Sequence, residues 1–263
     1  GKATEDMALE YAVSLMKGLK GTEVILGIER EDKEGTHVFD VGIIRDTIKI
    51  PHLTSKMLEN DIGYVHLASF FGENTAEEMM GDIKGLLEDN MKGFILDLRL
   101  NTGGSVDLAV QVSSKFLPTG TPIVHMVDKS NRKVTYHAGP GEKLDIPMVV
   151  LVDEISASAS EIVAGALRDM DRAVIVGVKS FGKGSVQTIY PLSDGSAISI
   201  TTHKYLTAGE HSIDKIGIEP DIEIRLPETS EDLNETINDT QLEAATEILI
   251  QQLNREELNK IAG

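Results

Sequence analysis

Apolar positions change their spacing several times along the chain, and each change marks an element. Between Thr4 and Leu19, the residues Leu9, Ala12, Val13, Met16 and Leu19 recur at helical intervals, which predicts an amphipathic helix. The segments TEVILGIERE and THVFDVGIIRD, joined by the turn-rich DKEG, predict a β-hairpin. One helix and one hairpin bury too little apolar surface to stand alone. From Ile48 onward strands alternate with helices. GYVHLASF predicts a strand, and Thr75 with Glu78 gives the S/T-x-x-E signature of a helix running to about Met91. GFILDLRL predicts a buried strand, NTGGS a glycine turn and VDLAVQVSSKFL a second helix. TPIVHMV reads as a strand, DKSNRKVTYHAGPGEKLD as a long polar connection and IPMVVLV as another buried strand. A helix over about Ala159 to Met170, the strand RAVIVG and the hairpin-like SVQTIYPLSDGSAISITTHKYLT follow. Such alternation predicts α/β crossover units with right-handed connections, the last strands adding antiparallel pairs.

After Pro227 the acidic stretch PETSEDLNETIND predicts a linker to a terminal helix. Thr240 and Glu243 form its cap signature, and Leu242, Ala245, Ile248, Leu249 and Leu253 share its apolar side. That side suits packing within the chain or in a homo-oligomer interface.

Charge narrows the partners. The 263 residues carry a formal net charge of -18 and no Lys/Arg cluster, so a polyanionic duplex or membrane surface would repel the chain. With no Trp and no basic patch, nucleic-acid binding is not expected. Cysteine is absent, which removes disulfides, thiolate metal sites and Cys nucleophiles. The longest apolar runs are far short of the ~20 residues that span a bilayer, so no membrane span is expected. The opening GKATEDMALEY is acidic and amphipathic, unlike a signal peptide.

Three stretches carry candidate chemistry. In DEISASASEIVAGAL, Ser158-Ala159-Ser160-Glu161 matches a capping box, an ordinary way to open a helix. The same strand-to-helix turn would also display a nucleophilic serine, with the next amide as an oxyanion donor. Among Ser156, Ser158 and Ser160, the geometry favours Ser158 without deciding it. GVKSFGKGSVQ has the glycines and lysine of a phosphate loop, but Gly184 stands where magnesium needs Ser or Thr, and a strand follows instead of a helix. Lys183 is otherwise a surface lysine or a general base; as a base it must be neutral near pH 7, its pKa lowered from ~10.4 to about 7–8. Gln187, four residues on in an extended segment, would share its face and could accept a hydrogen bond from its amine. In DLRLNTGGS the glycine pair serves a tight turn, or brings a bare amide against a substrate carbonyl. The seven histidines show no ligand-like spacing; His125 and His203 are the two that merit a test as triad members.

DLRLNTGG, SASASEIVAGALRD, GVKSFGKGSVQ and KYLTAGEHSIDKIGIEPDIEI occur in the order found in the C-terminal processing (tail-specific) serine proteases. The likeness runs from about Tyr64 to Ile224. The resemblance implies a crotonase-like (ClpP/crotonase-type) α/β core and a Ser/Lys dyad acting on protein or peptide substrates through their C-terminal region, with no cofactor and no metal. It places the nucleophile on Ser158, the base on Lys183 and an assisting amide on Gln187. Oxyanion donors fall on Ala159 and on the glycine pair, with Gly104 preferred to Gly103, and Asp169 takes a supporting acidic position. It also implies a chain divided into a truncated PDZ-like segment (1–47), a protease core (48–226) and an acidic linker with the C-terminal helix (227–263), working outside the cytoplasm. NTGG in place of the more usual NPGG keeps both glycines. Rival readings on the same core are an acyl-thioester enzyme and a non-catalytic binding module.

Overall fold

The computed structural model describes residues 3–4, 7–32, 35–47, 51–72, 74–227 and 238–262. Part of the expected first helix, the centre of the DKEG turn and most of the acidic linker lie outside them. The chain forms two compact units, 1–50 and 51–263.

In the first unit, helix α1 (Leu9–Met16) is shorter than its apolar spacing predicts, and none of its residues is buried. It stops where Lys17 turns extended, ahead of Gly18. Strands β1 (Glu23–Asp32) and β2 (Gly35–Ile44) pair antiparallel as expected. Arg45 ties the helix end to the hairpin base, donating to the Met16 carbonyl (2.7 Å) and the Glu23 carbonyl (2.9 Å).

The second unit opens with strands β3 (Leu53–Leu58) and β4 (Ile62–Leu67), helix α2 (Thr75–Glu88), strand β5 (Gly93–Asp97) and helix α3 (Val106–Ser113). Strands β6 (Pro122–Asp128), β7 (Lys133–His137) and β8 (Met148–Val152) precede helix α4 (Ala159–Asp169). Strands β9 (Val174–Gly177), β10 (Ser185–Pro191), β11 (Ala197–Thr207) and β12 (Ile222–Glu223) lead to helix α5 (Thr240–Ala262). Two sheets result. One runs β12-β9-β8-β5-β4-β3, parallel except for β3; the other is antiparallel, β10-β11-β6-β7. Strands β3 and β7 do not stand out in the sequence, because both are edge strands with largely polar or half-exposed residues.

Alternation along the parallel strands divides the core in two. Phe94, Leu96, Met148, Val150, Val152 and Ile175 face the larger layer, where α2, α3 and α4 pack. Ile62, Ile95, Val149, Leu151 and Val176 face the other way and are covered by Ala245 and Leu249 of α5. The apolar side of the terminal helix is therefore an intramolecular one.

Two helix starts differ from expectation by one residue. Helix α2 begins with Asn74 at the cap position, and the Thr75 hydroxyl donates to the Gly72 carbonyl at 3.0 Å. Helix α5 is capped by Asp239, whose Oδ1 accepts the Leu242 N–H at 3.0 Å, while the Thr240 hydroxyl donates to the Arg225 carbonyl.

Candidate active site

Three adjacent parallel strands deliver the three candidate stretches to one sheet edge. Strands β5, β8 and β9 lie side by side, with Asp97 opposite Leu151 and Val152 opposite Gly177. The loops that leave their C-terminal ends hold NTGG, the serine turn and SFGKG, at the edge where open α/β sheets place their ligands.

The serine turn separates its three hydroxyls. Ser156 is fully buried, its Oγ 2.8 Å from the Leu98 carbonyl oxygen and 2.9 Å from Asp153 Oδ1. Ser160, also fully buried, donates to the Asn101 carbonyl at 2.9 Å. Both act as struts. Ser158 differs: its backbone sits at φ 56°, ψ -111°, a region costing a non-glycine residue about 1–3 kcal/mol. Its hydroxyl oxygen meets the Glu161 N–H in a loose contact, which with the Glu161 carboxylate on the Ser158 N–H makes a capping box. Among the described residues its own O–H proton is donated to no acceptor.

Glu161 holds this turn and the lysine loop together. Its carboxylate is buried and accepts four hydrogen bonds. Oε2 takes the N–H groups of Ser158 (2.8 Å) and Lys183 (2.9 Å); Oε1 takes the Ser180 hydroxyl (2.6 Å) and the Gly182 N–H (2.7 Å). The backbone nitrogens of Ser158 and Lys183 therefore lie within two hydrogen-bond lengths of each other. Phe181 N–H adds a bond to the Ser156 carbonyl, 3.0 Å. In the sequence, Glu161 shows only as the last letter of a capping box. Its partners at 180, 182 and 183 meet it through tertiary closure.

The glycine pair divides its tasks. Asn101 is fully buried; its amide donates to the Leu67 carbonyl (2.6 Å), and its Oδ1 accepts the Gly103 N–H (2.8 Å). Its carbonyl accepts the Ala157 N–H at 3.0 Å, joining the NTGG loop to the serine turn. The Gly103 amide is thus committed, and its place is steric: an added Cβ would lie 2.6 Å from the Ala157 carbonyl oxygen and 2.8 Å from Ser158 Cβ. The amides of Gly104 and Ala159 donate to no acceptor among the described residues. Gly103→Ala also meets φ +99°, so it is expected to destabilise the fold by about 2–4 kcal/mol. Urea unfolding midpoints measure this; an unchanged midpoint would mean the contact relaxes freely.

Lys183 is exposed, and its Nζ has no hydrogen bond or ion pair among the described residues. It lines a cavity of about 350 Å³ with Thr102, Glu154, Ile155, Ala157 and Phe181. Two larger clefts, about 540 and 780 Å³, run along Arg172 and α5 and include no residue of this site. The expected contact between Gln187 and Lys183 is not formed. Strand β10 begins only at Ser185, so Lys183 lies in the loop before it and the strand alternation on which that expectation rests does not reach it; Gln187 Oε1 accepts the Ser199 hydroxyl at 3.1 Å.

Asp169 lies at the other end of α4, about 15 Å of helix from Ser158. It accepts the Thr207 hydroxyl and the Gly209 N–H (2.8 Å), fixing the turn after β11. His125 has both ring nitrogens engaged, with the Thr135 hydroxyl (2.7 Å) and the Ala208 carbonyl (3.3 Å). His203 contacts the Thr202 hydroxyl. Neither is hydrogen-bonded to Ser158. Among the described residues no His/Asp/Glu group is arranged to hold a metal ion, and no helix is long and apolar enough to cross a membrane.

A serine on a strained strand-to-helix turn, beside free amides and next to a lysine loop, has the equipment of acyl-transfer chemistry. A family model described as peptidase family S41 matches residues 61–224, and the chain belongs to that family. It is 41% identical over 249 residues to the carboxy-terminal-processing protease of Bartonella bacilliformis, covering 92% of this chain and 56% of that protein. It is 39% identical to the carboxy-terminal processing protease CtpA of Bacillus subtilis, covering 87% and 48% respectively. The chain thus spans about half the length of these curated relatives. Among solved structures, the photosystem II D1 C-terminal processing protease matches with a TM-score of 0.63 at 31% identity, covering 89% of this chain and 63% of that one.

Proposed function

We propose that this chain is the peptidase part of a carboxy-terminal processing serine protease, cleaving proteins near their C-terminal tails. The observation that carries this reading is Ser158, whose hydroxyl proton has no acceptor and whose strained turn the Glu161 carboxylate joins to the Lys183 backbone. Ser158 Oγ attacks the scissile carbonyl carbon while neutral Lys183 takes the hydroxyl proton. The N–H groups of Ala159 and Gly104 stabilise the tetrahedral oxyanion. As the C–N bond breaks, Lys183 returns the proton to the leaving amine and an acyl-enzyme ester remains. Water, deprotonated by Lys183, then hydrolyses that ester and regenerates Ser158.

The remaining assignments are supportive. Gln187 steadies the Lys183 amine, which requires it to exchange its Ser199 contact for the lysine. Gly103 permits the close approach of the two loops, and Asp169 braces the turn after β11. The mostly apolar cavity beside Lys183 accepts a substrate side chain, and an extended substrate pairs with a sheet edge through its backbone. We assign 48–226 to a crotonase-like protease core and 1–47 to the end of a PDZ-like domain, which the α1 helix and the β1–β2 hairpin resemble. An extracytoplasmic workplace is what the family resemblance implies, and a cysteine-free chain needs no reducing pool to keep it intact.

A fluorophosphonate probe followed by peptide mass mapping tests the assignment. Label is expected on Ser158 alone, and Lys183→Met is expected to slow labelling by about 10²-fold or more. No adduct on folded wild-type protein would favour the binding-module or acyl-thioester readings instead.

A further inference from the structure

The C-terminal helix reaches the candidate site through one buried ion cluster. Arg99, two residues beyond β5, has a side chain 12% exposed and lies between Asp97 and Asp239. Its Nη1 and Nη2 donate in parallel to the two carboxylate oxygens of Asp239, both at 2.8 Å. Nε and Nη2 donate to Asp97, at 3.0 and 2.6 Å. Such forked pairing fixes orientation as well as charge. Tyr64 donates to Asp97 at 2.7 Å, and Gln241 joins Arg99 Nη1 (3.1 Å) to the Ile224 carbonyl through its own amide (2.8 Å). Burial raises the Asp239 carboxyl, but its hydrogen bonds with Arg99 and the Leu242 N–H outweigh that and hold it below the ordinary carboxylate range.

The chain runs directly from Arg99 into the NTGG loop. Leu100 is left-handed, φ 61°, with its N–H on Asp153 Oδ2 at 2.9 Å. Asn101 comes next, and its bonds with Leu67, Gly103, Ala157 and Ser160 hold both the glycine pair and the serine turn. Leu100 alone separates the guanidinium anchor from this keystone along the chain. Asp239, meanwhile, is the cap of α5, whose other anchorage is the apolar contact of Ala245 and Leu249 on the sheet.

We propose that Asp239 is a positioning residue for the NTGG loop: through Arg99 its carboxylate fixes the placement of the Gly104 amide, whatever the packing of the rest of the helix. The catalytic half of this inference rests on the protease reading above; the positional half does not. Arg99 keeps Asp97 as a partner when Asp239 is lost, so the effect falls on alignment and not on an orphaned charge.

The test compares Asp239→Asn with Leu249→Ala, which loosens the same helix without touching Arg99. Amide hydrogen exchange over 100–104 should rise about tenfold in Asp239→Asn and stay at the wild-type level in Leu249→Ala. With casein as substrate, Asp239→Asn should lower kcat about tenfold with KM within about twofold, whereas Leu249→Ala lowers the melting temperature and leaves kcat unchanged. Unchanged exchange over 100–104 in Asp239→Asn overturns the proposal, as does an equal rise in both variants. Wild-type protein that neither cleaves casein nor takes the fluorophosphonate sinks the protease reading alone, and the exchange data still decide the coupling.

Discussion

Ser158→Ala is expected to lower peptide hydrolysis by at least about 10⁴-fold while lowering stability by no more than about 1 kcal/mol. The two halves of that expectation have separate causes. Activity falls because the acyl-enzyme cannot form without Oγ. Stability moves little because the hydroxyl donates to nothing in the fold and deleting it removes only the loose cap contact with the Glu161 N–H. Ser158→Gly goes further. At φ 56°, ψ -111° a Cβ is strained, and glycine removes the strain at the smaller cost of a more flexible unfolded chain. The net gain expected is about 1 kcal/mol, with activity lost as in the alanine variant. Peptide turnover and urea midpoints on the three proteins check both halves. Hydrolysis by folded Ser158→Ala would remove Ser158 as the nucleophile, and a glycine variant less stable than wild type would remove the strain.

Ser156 and Ser160 show why the sequence could name a turn but needed the fold to name a residue. All three serines are small, polar and regularly spaced. Only tertiary structure brings the Leu98 and Asn101 carbonyls against two of them and leaves the third with its proton undonated. The buried strands were legible because β5 and β8 are covered on both faces and read as continuous apolar runs. The edge strands β3 and β7 were not, since a polar or half-exposed strand looks like a loop. Local cap signatures at Thr75 and Thr240 located two helices but missed each start by one residue, because Asn74 and Asp239 stand beside them. The Gln187–Lys183 contact was not legible for a different reason: the β-branched run SVQTIYPL does not show that the strand starts only at Ser185, leaving Lys183 in the loop before it. Asn101, Arg99 and Asp239 carry no local signature, because the contact of Asn101 with Leu67 spans 34 residues and that of Arg99 with Asp239 spans 140.

Glu161→Gln is expected to be the most damaging conservative change outside the nucleophile and the lysine, because Glu161 is where two loops meet. Four donors converge on its two oxygens, three of them backbone N–H groups that cannot rotate away. A glutamine offers one acceptor oxygen and turns an NH₂ group toward donors that need an acceptor. Two buried donors are then left unmet, each costing about 1–3 kcal/mol, so a loss of about 2–5 kcal/mol is expected. Activity should fall by about 10²–10³-fold at temperatures where the variant is still folded, since a displacement near 1 Å between nucleophile and base is enough for such a drop. Ser180→Ala removes a single donor from the same carboxylate and is expected to do less on both counts. Circular dichroism melts establish the folded range, and hydrolysis within it separates misplacement from unfolding. A folded Glu161→Gln protein that cleaves within threefold of wild type would show that the Ser158 and Lys183 loops keep their spacing without the shared carboxylate. Should Ser180→Ala prove the more harmful variant, the Ser180 hydroxyl, which also accepts the Ile218 N–H at 2.7 Å, would be the stronger tie of the lysine loop.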